Sequence, residues 1–249
     1  MASILRHIPS ISLLCMESEY IPAFNAALAK HWPSFTQTDS KPAITVLNSS
    51  LSDVPSSHKF DLVVSPANSY GRLDGAFDDA ISTSFCLPHN DYFTLTRAAQ
   101  KVLYERWRGF APPGSCTLVP FPKELCEGPG ANAWGCKWVA ICPTMRRPQA
   151  VSWDREVVYE CVWSLLCQVE GWNRQHDAEA PDGDERIKNI LITPLATGVG
   201  GVSRERWAAQ FVLALKHFVD ALERPERWSE LSWKELVQDA WEVEKTWNR

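Results

Sequence analysis

Two glycine-bearing stretches hold the residue types best suited to chemistry. Residues 61–81 run Leu62-Val63-Val64-Ser65-Pro66-Ala67-Asn68, then Gly71, Gly75 and Ala76, then Phe77-Asp78-Asp79-Ala80-Ile81. Residues 190–203 run Ile190-Leu191-Ile192-Thr193-Pro194-Leu195, then Ala196-Thr197-Gly198-Val199-Gly200-Gly201 and Ser203. Each places an apolar strand, a turn and a helix start in that order. In open α/β folds such turns lie beyond the carboxyl ends of strands, where ligands bind. Glycine lets main chain approach a ligand closely, and the first turn of the next helix offers free N–H groups to an anion. Gly198, Val199, Gly200 and Gly201 suit one phosphate as a nest of amides. Gly75 and Ala76 suit another, with about 0.3–1 kcal/mol from the helix dipole. Two such turns on one cleft would clamp a phosphate-bearing small molecule. The competing account is a pair of tight turns with no ligand.

Asn68 ends its strand with an amide that can donate to and accept from hydroxyls. A turn asparagine bonding its own backbone is the plainer alternative. Thr197 offers a hydroxyl contact or a turn bond. Asp78 is a carboxylate that could polarise water as a general base. Acids also favour the first turn of any helix, and Asp74, Asp78 and Asp79 cluster here. Asp78 and Asp79 point about 100° apart on a helix, so one alone can face a cleft.

Strands and helices must position these groups. Residues 11–14, 43–47, 62–64, 116–121, 138–142 and 189–195 form six candidate strands. Ile21, Phe24 and Leu28 mark a helix face, as do Phe77, Ile81 and Phe85 on a helix opening near Gly75. Leu95, Ala98, Val102 and Leu103 mark another. Val157, Val158, Cys161, Val162, Leu165, Leu166 and Val169 trace a wide apolar stripe. Ser203 can cap a last core helix whose face is Trp207, Phe211, Leu215 and Phe218. Residues 122–137 are rich in glycine and proline and are expected as a loop, and 173–186 as a polar surface loop. Strands alternate with helices, which argues for an α/β sheet covered on both faces. From residue 224 the chain is charged, with Trp228, Trp233, Trp241 and Trp247 interspersed. Residues 1–223 are thus expected as one domain and 224–249 as a helical extension packed on it.

With 249 residues, 45% of them apolar, the chain has enough hydrophobic content for a sizeable core. The formal net charge of −5 and the lack of a dense basic stripe, Arg146-Arg147 notwithstanding, argue against nucleic acid as a partner. An anion would have to be held by backbone dipoles in a small site. Nothing in the N-terminal residues resembles a signal peptide, and no apolar run is long enough to span a bilayer. The eight cysteines include no C-x-x-C pair, and Cys116, Cys126, Cys136 and Cys142 lack zinc-finger spacing. Cys86 and His89 lie near the first turn but do not form a ligand set, so no metal or other cofactor is expected. Reduced thiols point to the cytoplasm or nucleus. The twelve tryptophans, several at helical spacing, are expected to pack rather than to form a recognition platform.

Residues 64–81 and 196–201, in this order and context, resemble the two signatures of the macro domain. The first, roughly V-N-A-A-N, a glycine-rich stretch and V-D-x-A-I, matches Val64-Ser65-Pro66-Ala67-Asn68, Gly71 with Gly75-Ala76, and Phe77 to Ile81. The second, S-T-G-x-x-G, matches Ala196 to Gly201. Pro143-Thr144-Met145-Arg146 looks like a segment of a divergent branch. The resemblance covers about residues 10–220. It implies a three-layer α/β/α sandwich with a mixed six-stranded sheet, and ADP-ribose or an ADP-ribosylated protein as partner. Under it, Asn68, Gly71, Gly75, Ala76, Thr197, Gly198, Val199, Gly200 and Gly201 bind the ligand, with Asn68 on the distal ribose. Asp78 matches the catalytic aspartate of the family's hydrolases. An ADP-ribosyl hydrolase or ADP-ribose-1''-phosphate phosphatase is therefore the first alternative to a plain binder, and a non-catalytic interaction scaffold the second. Two positions depart from the family pattern. Ala76 replaces a frequent glycine. Ser50 falls where the family has an adenine-selecting acid, with Asp53 nearby in a shifted register and Glu17 as a substitute.

Overall fold

The computed structural model describes residues 5–35, 42–176 and 185–248. Six strands form one sheet: β1 (Ser10–Leu14), β2 (Ile44–Leu47), β3 (Leu62–Ser65), β4 (Thr117–Pro120), β5 (Trp138–Ile141) and β6 (Asn189–Ile192). Their order is β2-β1-β6-β3-β5-β4. All neighbours are parallel except β4, which runs antiparallel to β5 at the edge. β3 and β6 are direct neighbours, with Leu62 opposite Ile190 and Val63 opposite Leu191. The turns that follow them therefore leave the sheet side by side.

Alternation along each strand builds two cores. Leu13, Leu62, Val64, Ala140, Ile190 and Ile192 point into one layer. It is closed by α1 (Tyr20–His31), α4 (Val157–Gln175) and α5 (Arg204–Glu223), through Phe24, Leu165 and the fully buried Trp207. Val63, Val119, Val139, Ile141 and Leu191 point into the opposite layer. That layer is closed by α2 (Phe77–Cys86) and α3 (Thr94–Trp107), through Ile81, Phe85, Leu95 and Leu103. The result is the three-layer α/β/α sandwich with a mixed six-stranded sheet.

Several boundaries move for local reasons. β6 stops at Ile192 because Pro194 has no N–H to give a ladder. The loop at 122–137 contains two short 3-10 turns, Lys123–Leu125 and Gly128–Gly130. The polar stretch at 173–186 begins inside α4: Asn173 is 2% exposed and ties His7 and Ile187 through its amide. Residues 177–184 of that expected loop lie outside the described residues. Ser203 does cap α5, accepting from Arg206 N. Beyond it lie α6 (Pro225–Ser229) and α7 (Trp233–Glu244), the latter opened by a capping box between Ser232 and Glu235. Packing accounts for Trp207 and Trp134, whereas Trp153, Trp233 and Trp241 are more than half exposed. Among the described residues no helix is long and apolar enough to cross a membrane.

Candidate functional site

The two turns line one cavity of about 280 Å³ at the carboxyl ends of β1, β3 and β6. The first lip continues β3. Cys142 N donates to Ser65 O at 3.0 Å, Thr144 N to Ala67 O at 2.9 Å and Ser69 N to Met145 O at 2.9 Å. Ladder pairing thus runs past the end of the sheet, and Thr144 and Met145 join the cavity wall. The chain then folds back through residues 69–74 and enters α2.

Asp78 N donates to Gly75 O at 3.1 Å, closing a four-residue turn in front of α2. Ala76, second in that turn, has φ 51° and ψ −122°. These are the angles of a type II′ turn, whose second position favours glycine because a Cβ is crowded there. The alanine is held in a conformation that is typically ~1–3 kcal/mol unfavourable. Strain of this kind gathers at ligand clamps.

The second lip closes on itself. Val202 N donates to Ala196 O at 3.1 Å and Gly201 N to Gly198 O at 3.0 Å. Gly200 O accepts from Val151 N at 2.9 Å, which pins the lip to the segment after β5. A Cβ on Gly200 would stand 2.4 Å from Ala196 O, so glycine is required there. The amides of Gly198, Val199 and Gly200 meet no acceptor among the described residues.

Asn68, Gly75, Ala76, Asp78, Thr197, Gly198, Val199 and Gly200 all line the cavity. Gly71 and Gly201 do not. Gly71, at φ +66°, packs against α3, where an added Cβ would lie 2.7 Å from Leu103 Cδ1. Gly201, at φ +70°, has its N–H occupied within the lip. Both glycines shape the turns from behind. Asn68 sits on the wall but binds its own loop: its oxygen accepts from Tyr70 N at 3.1 Å and its amide donates to Arg72 O at 2.8 Å. One N–H of the amide is left. The Thr197 hydroxyl likewise donates to Pro194 O at 3.1 Å.

Asp78 is 6% exposed and its Oδ1 accepts from Ser65 Oγ at 2.6 Å. Burial pushes its carboxyl up to about 7, with a further rise from the Asp74 carboxylate and an opposing pull from the Ser65 hydroxyl. Asp79 leaves the cavity and bonds Tyr92 on the surface. Two adjacent acids are thus separated by the helix into one buried and one solvated.

Ser50 and Asp53 bond each other at 2.6 Å away from the cavity. Glu17 does line it, and its carboxylate pairs with Arg204 at 2.9 Å. Met16 and Tyr20 stand beside it, the Tyr20 ring held edge-on to Trp207 at 5.4 Å. Arg72 adds a cation to the wall, paired with Asp74 and lying over the Phe93 ring at 5.6 Å. Sequence reasoning passed over Arg72, although a cation inside a glycine-bearing turn was a usable signal. Met16 and Tyr20 were also legible in principle, since they follow a parallel strand at its carboxyl end. Among the described residues no cluster of His, Cys, Asp and Glu could hold a metal.

No protein-family model matches the chain, and no curated protein matches it. Solved macrodomain structures from Oceanobacillus iheyensis are similar to part of it. The one with MES bound is 16% identical at a TM-score of 0.45, covering 64% of this chain and 71% of that one. A mutant of the same macrodomain with ADPR is 16% identical at 0.43, covering 65% and 74%. The form with ADP is 13% identical at 0.36, covering 65% and 85%. At these scores no residue role passes from those proteins to this chain.

Proposed function

We propose that the chain binds ADP-ribose, or an ADP-ribosyl group carried on a protein, in the cavity between the two lips. One observation carries this reading: amides with no internal acceptor, at Gly198 to Gly200, line the same small cavity as the turn that opens α2. A diphosphate suits such a pair of main-chain sites, because each phosphate takes several N–H donors without needing a basic residue. The remaining Asn68 N–H suits a ribose hydroxyl, and Tyr20, Met16 and Glu17 form the wall available to a base. Calorimetric titration with ADP-ribose tests the proposal. A saturable heat together with a raised melting temperature is expected. No heat and no thermal shift at millimolar ligand would remove it.

A second reading is favoured by Asp78. A buried carboxylate titrating near 7 is matched to general-base work at neutral pH. In that reading Asp78 takes a proton from water as the water attacks an ADP-ribosyl ester, breaking its ester bond to release ADP-ribose and the protein carboxyl, or a terminal phosphate, breaking the phosphate-ester bond to release inorganic phosphate and ADP-ribose. Release of ADP-ribose from a modified protein, or of phosphate from ADP-ribose-1''-phosphate, is the readout. Asp78→Ala should lower either turnover by roughly 10²–10⁴-fold while binding persists. Turnover that survives the substitution would reject Asp78 as the base.

A further inference from the structure

A second concavity of about 580 Å³ shares no residue with the first. It lies over the outer face of α4, between the end of α3 with the loop before β4 and the short helix α6. Trp107, Tyr159, Trp163 and Trp228 line it, together with Pro112 and Pro113. The rings are fixed from behind. Trp107 Nε1 donates to Thr117 Oγ1 at 2.9 Å, Trp228 Nε1 to Asp220 Oδ2 at 2.8 Å, and the Tyr159 hydroxyl bonds His217 Nδ1 at 3.1 Å. Trp163 is the centre of the array, 6.0 Å from Tyr159 and 5.4 Å from Trp228 between ring centroids. With their polar edges turned into the protein, Trp107, Tyr159 and Trp228 offer carbon faces, which carry the negative lobe of the ring quadrupole.

The groove has one ionisable group besides Tyr159, and it is acidic. Glu160 lies against Gly114, its Oε2 only 2.4 Å from where a Cβ on residue 114 would stand. Glycine at φ +83° is what lets the carboxylate sit there, and Ser164 Oγ holds the same loop by donating to Gly114 O at 2.7 Å. Glu160 has no ion-pair or hydrogen-bond partner for its carboxylate among the described residues, and no Lys, Arg or His lines the groove. Glu160 is an exposed residue, but partial burial of its carboxyl, with Asp154 and Glu156 earlier on the same segment, pushes it up to about 7. Outside the groove lining, the Arg227 guanidinium lies over Trp228 at 5.2 Å while paired with Asp220, Glu235 and Asp239. Tyr159 and Trp163 stack on each other at 21° between planes, and Trp107 supplies a further wall.

We propose that this groove binds a methylated ammonium group, seated on the Trp107, Tyr159 and Trp163 rings with Glu160 as its counter-charge. Electron-rich faces and a carboxylate lacking a partner call for a cation. The apolar walls call for one that loses its water easily, which an ordinary lysine ammonium does not. Methylation spreads the charge over carbon and removes the N–H donors that the groove has few acceptors to meet, and ring cages are suited to such groups. The same chemistry is carried by a free quaternary ammonium compound and by a trimethyllysine side chain.

The test is titration of the full chain at pH 8, where Glu160 is ionised, followed by tryptophan fluorescence and calorimetry. Choline and a trimethyllysine peptide are the probes, and 3,3-dimethylbutanol is the neutral isostere of choline. At least one cationic probe is expected to bind about ten-fold more tightly than the neutral isostere, ~1.4 kcal/mol. Whichever of the two binds more tightly identifies the source. Glu160→Gln should remove most of that advantage, and Trp107→Leu should weaken cation binding, each with an ADP-ribose titration and melting temperature close to those of the parent. Equal affinity for cation and isostere would overturn the proposal. So would the absence of any cation binding at about 20 mM, or cation affinity unchanged in folded Glu160→Gln protein.

Discussion

Asp78 combines two costs that a structural residue would avoid. Its carboxylate is buried, and its one close partner is a neutral hydroxyl rather than a cation. A carboxyl raised from 3.8 to about 7 binds its proton more tightly in the folded chain than in the unfolded one. Folding stability contributed by this group is therefore greatest below about pH 4 and declines as pH rises toward 7, after which the loss is complete. Asp78→Asn keeps the shape and can still accept from Ser65, but carries no charge at any pH. It should be more stable than the parent at pH 8 by on the order of 2–4 kcal/mol, with the gain shrinking toward pH 4. Urea unfolding of both proteins at pH 5 and pH 8 measures this, and a pH-independent difference would contradict the buried charge. A group retained against stability is a candidate for function. At Asn68 the residue scale shows the opposite economy. Its amide has both a ribose-binding and a loop-binding use open to it, and the short path to Tyr70 N and Arg72 O claims most of its capacity. Nothing in the residue type distinguishes the two.

At the scale of elements, the alternation of apolar strands with periodic helices was enough to place all six strands and α1 to α5 near their observed bounds. Each of these elements buries a face whose period is set by backbone geometry alone. The relation between elements was less legible. That β3 and β6 are neighbours, which brings their turns to one cavity, is a matter of sheet order that no local pattern carries. The fine structure of the turns was hidden as well. Gly71 and Gly201 meet the rule that glycine supplies positive φ, but the sequence does not say whether such a turn points at a ligand or at Leu103. Ala76 is the sharpest instance, since its residue type hides a II′ turn that only the resemblance, with a glycine frequent at this position, hints at. Ala76→Gly should relieve the crowded angle while adding freedom to the unfolded chain, which offsets about 0.4–1 kcal/mol. The net expectation is a stabilisation of about 1 kcal/mol, or ~2–4 °C in melting temperature for a chain of this size. Under the proposed function the same change removes a methyl from the cavity wall, so ADP-ribose affinity should hold or rise. A lowered melting temperature in Ala76→Gly would mean that the angle is not strained.

At the scale of the molecule, residues 224–248 are joined to the sandwich by polar contacts that no periodicity could announce. Gln210, 1% exposed in the middle of α5, donates to Thr246 Oγ1 at 2.9 Å and to Arg155 O at 2.6 Å. Lys216 reaches Glu242 at 2.7 Å, and the buried His217 lies 3.3 Å from the same carboxylate. Trp247 ties the extension to both core helices. Its indole N–H donates to Glu156 at 2.8 Å, its carbonyl accepts from Arg206 at 2.5 Å, and the Arg155 guanidinium lies over its ring at 5.1 Å. These contacts bridge the start of α4, the start of α5 and the end of the chain. The extension therefore acts as a clasp across two core helices, while none of its residues lines the cavity between the two lips. Trp247→Ala removes the ring and its hydrogen bond but leaves the backbone carbonyl. It should destabilise the protein by about 2 kcal/mol, or ~4–8 °C in melting temperature. ADP-ribose affinity, measured below the new transition, should stay within about two-fold of the parent, because neither Trp247 nor Arg155, Glu156 or Arg206, which it contacts, lines the cavity. A large fall in affinity with little change in melting temperature would place the extension in the binding site and reverse this assignment.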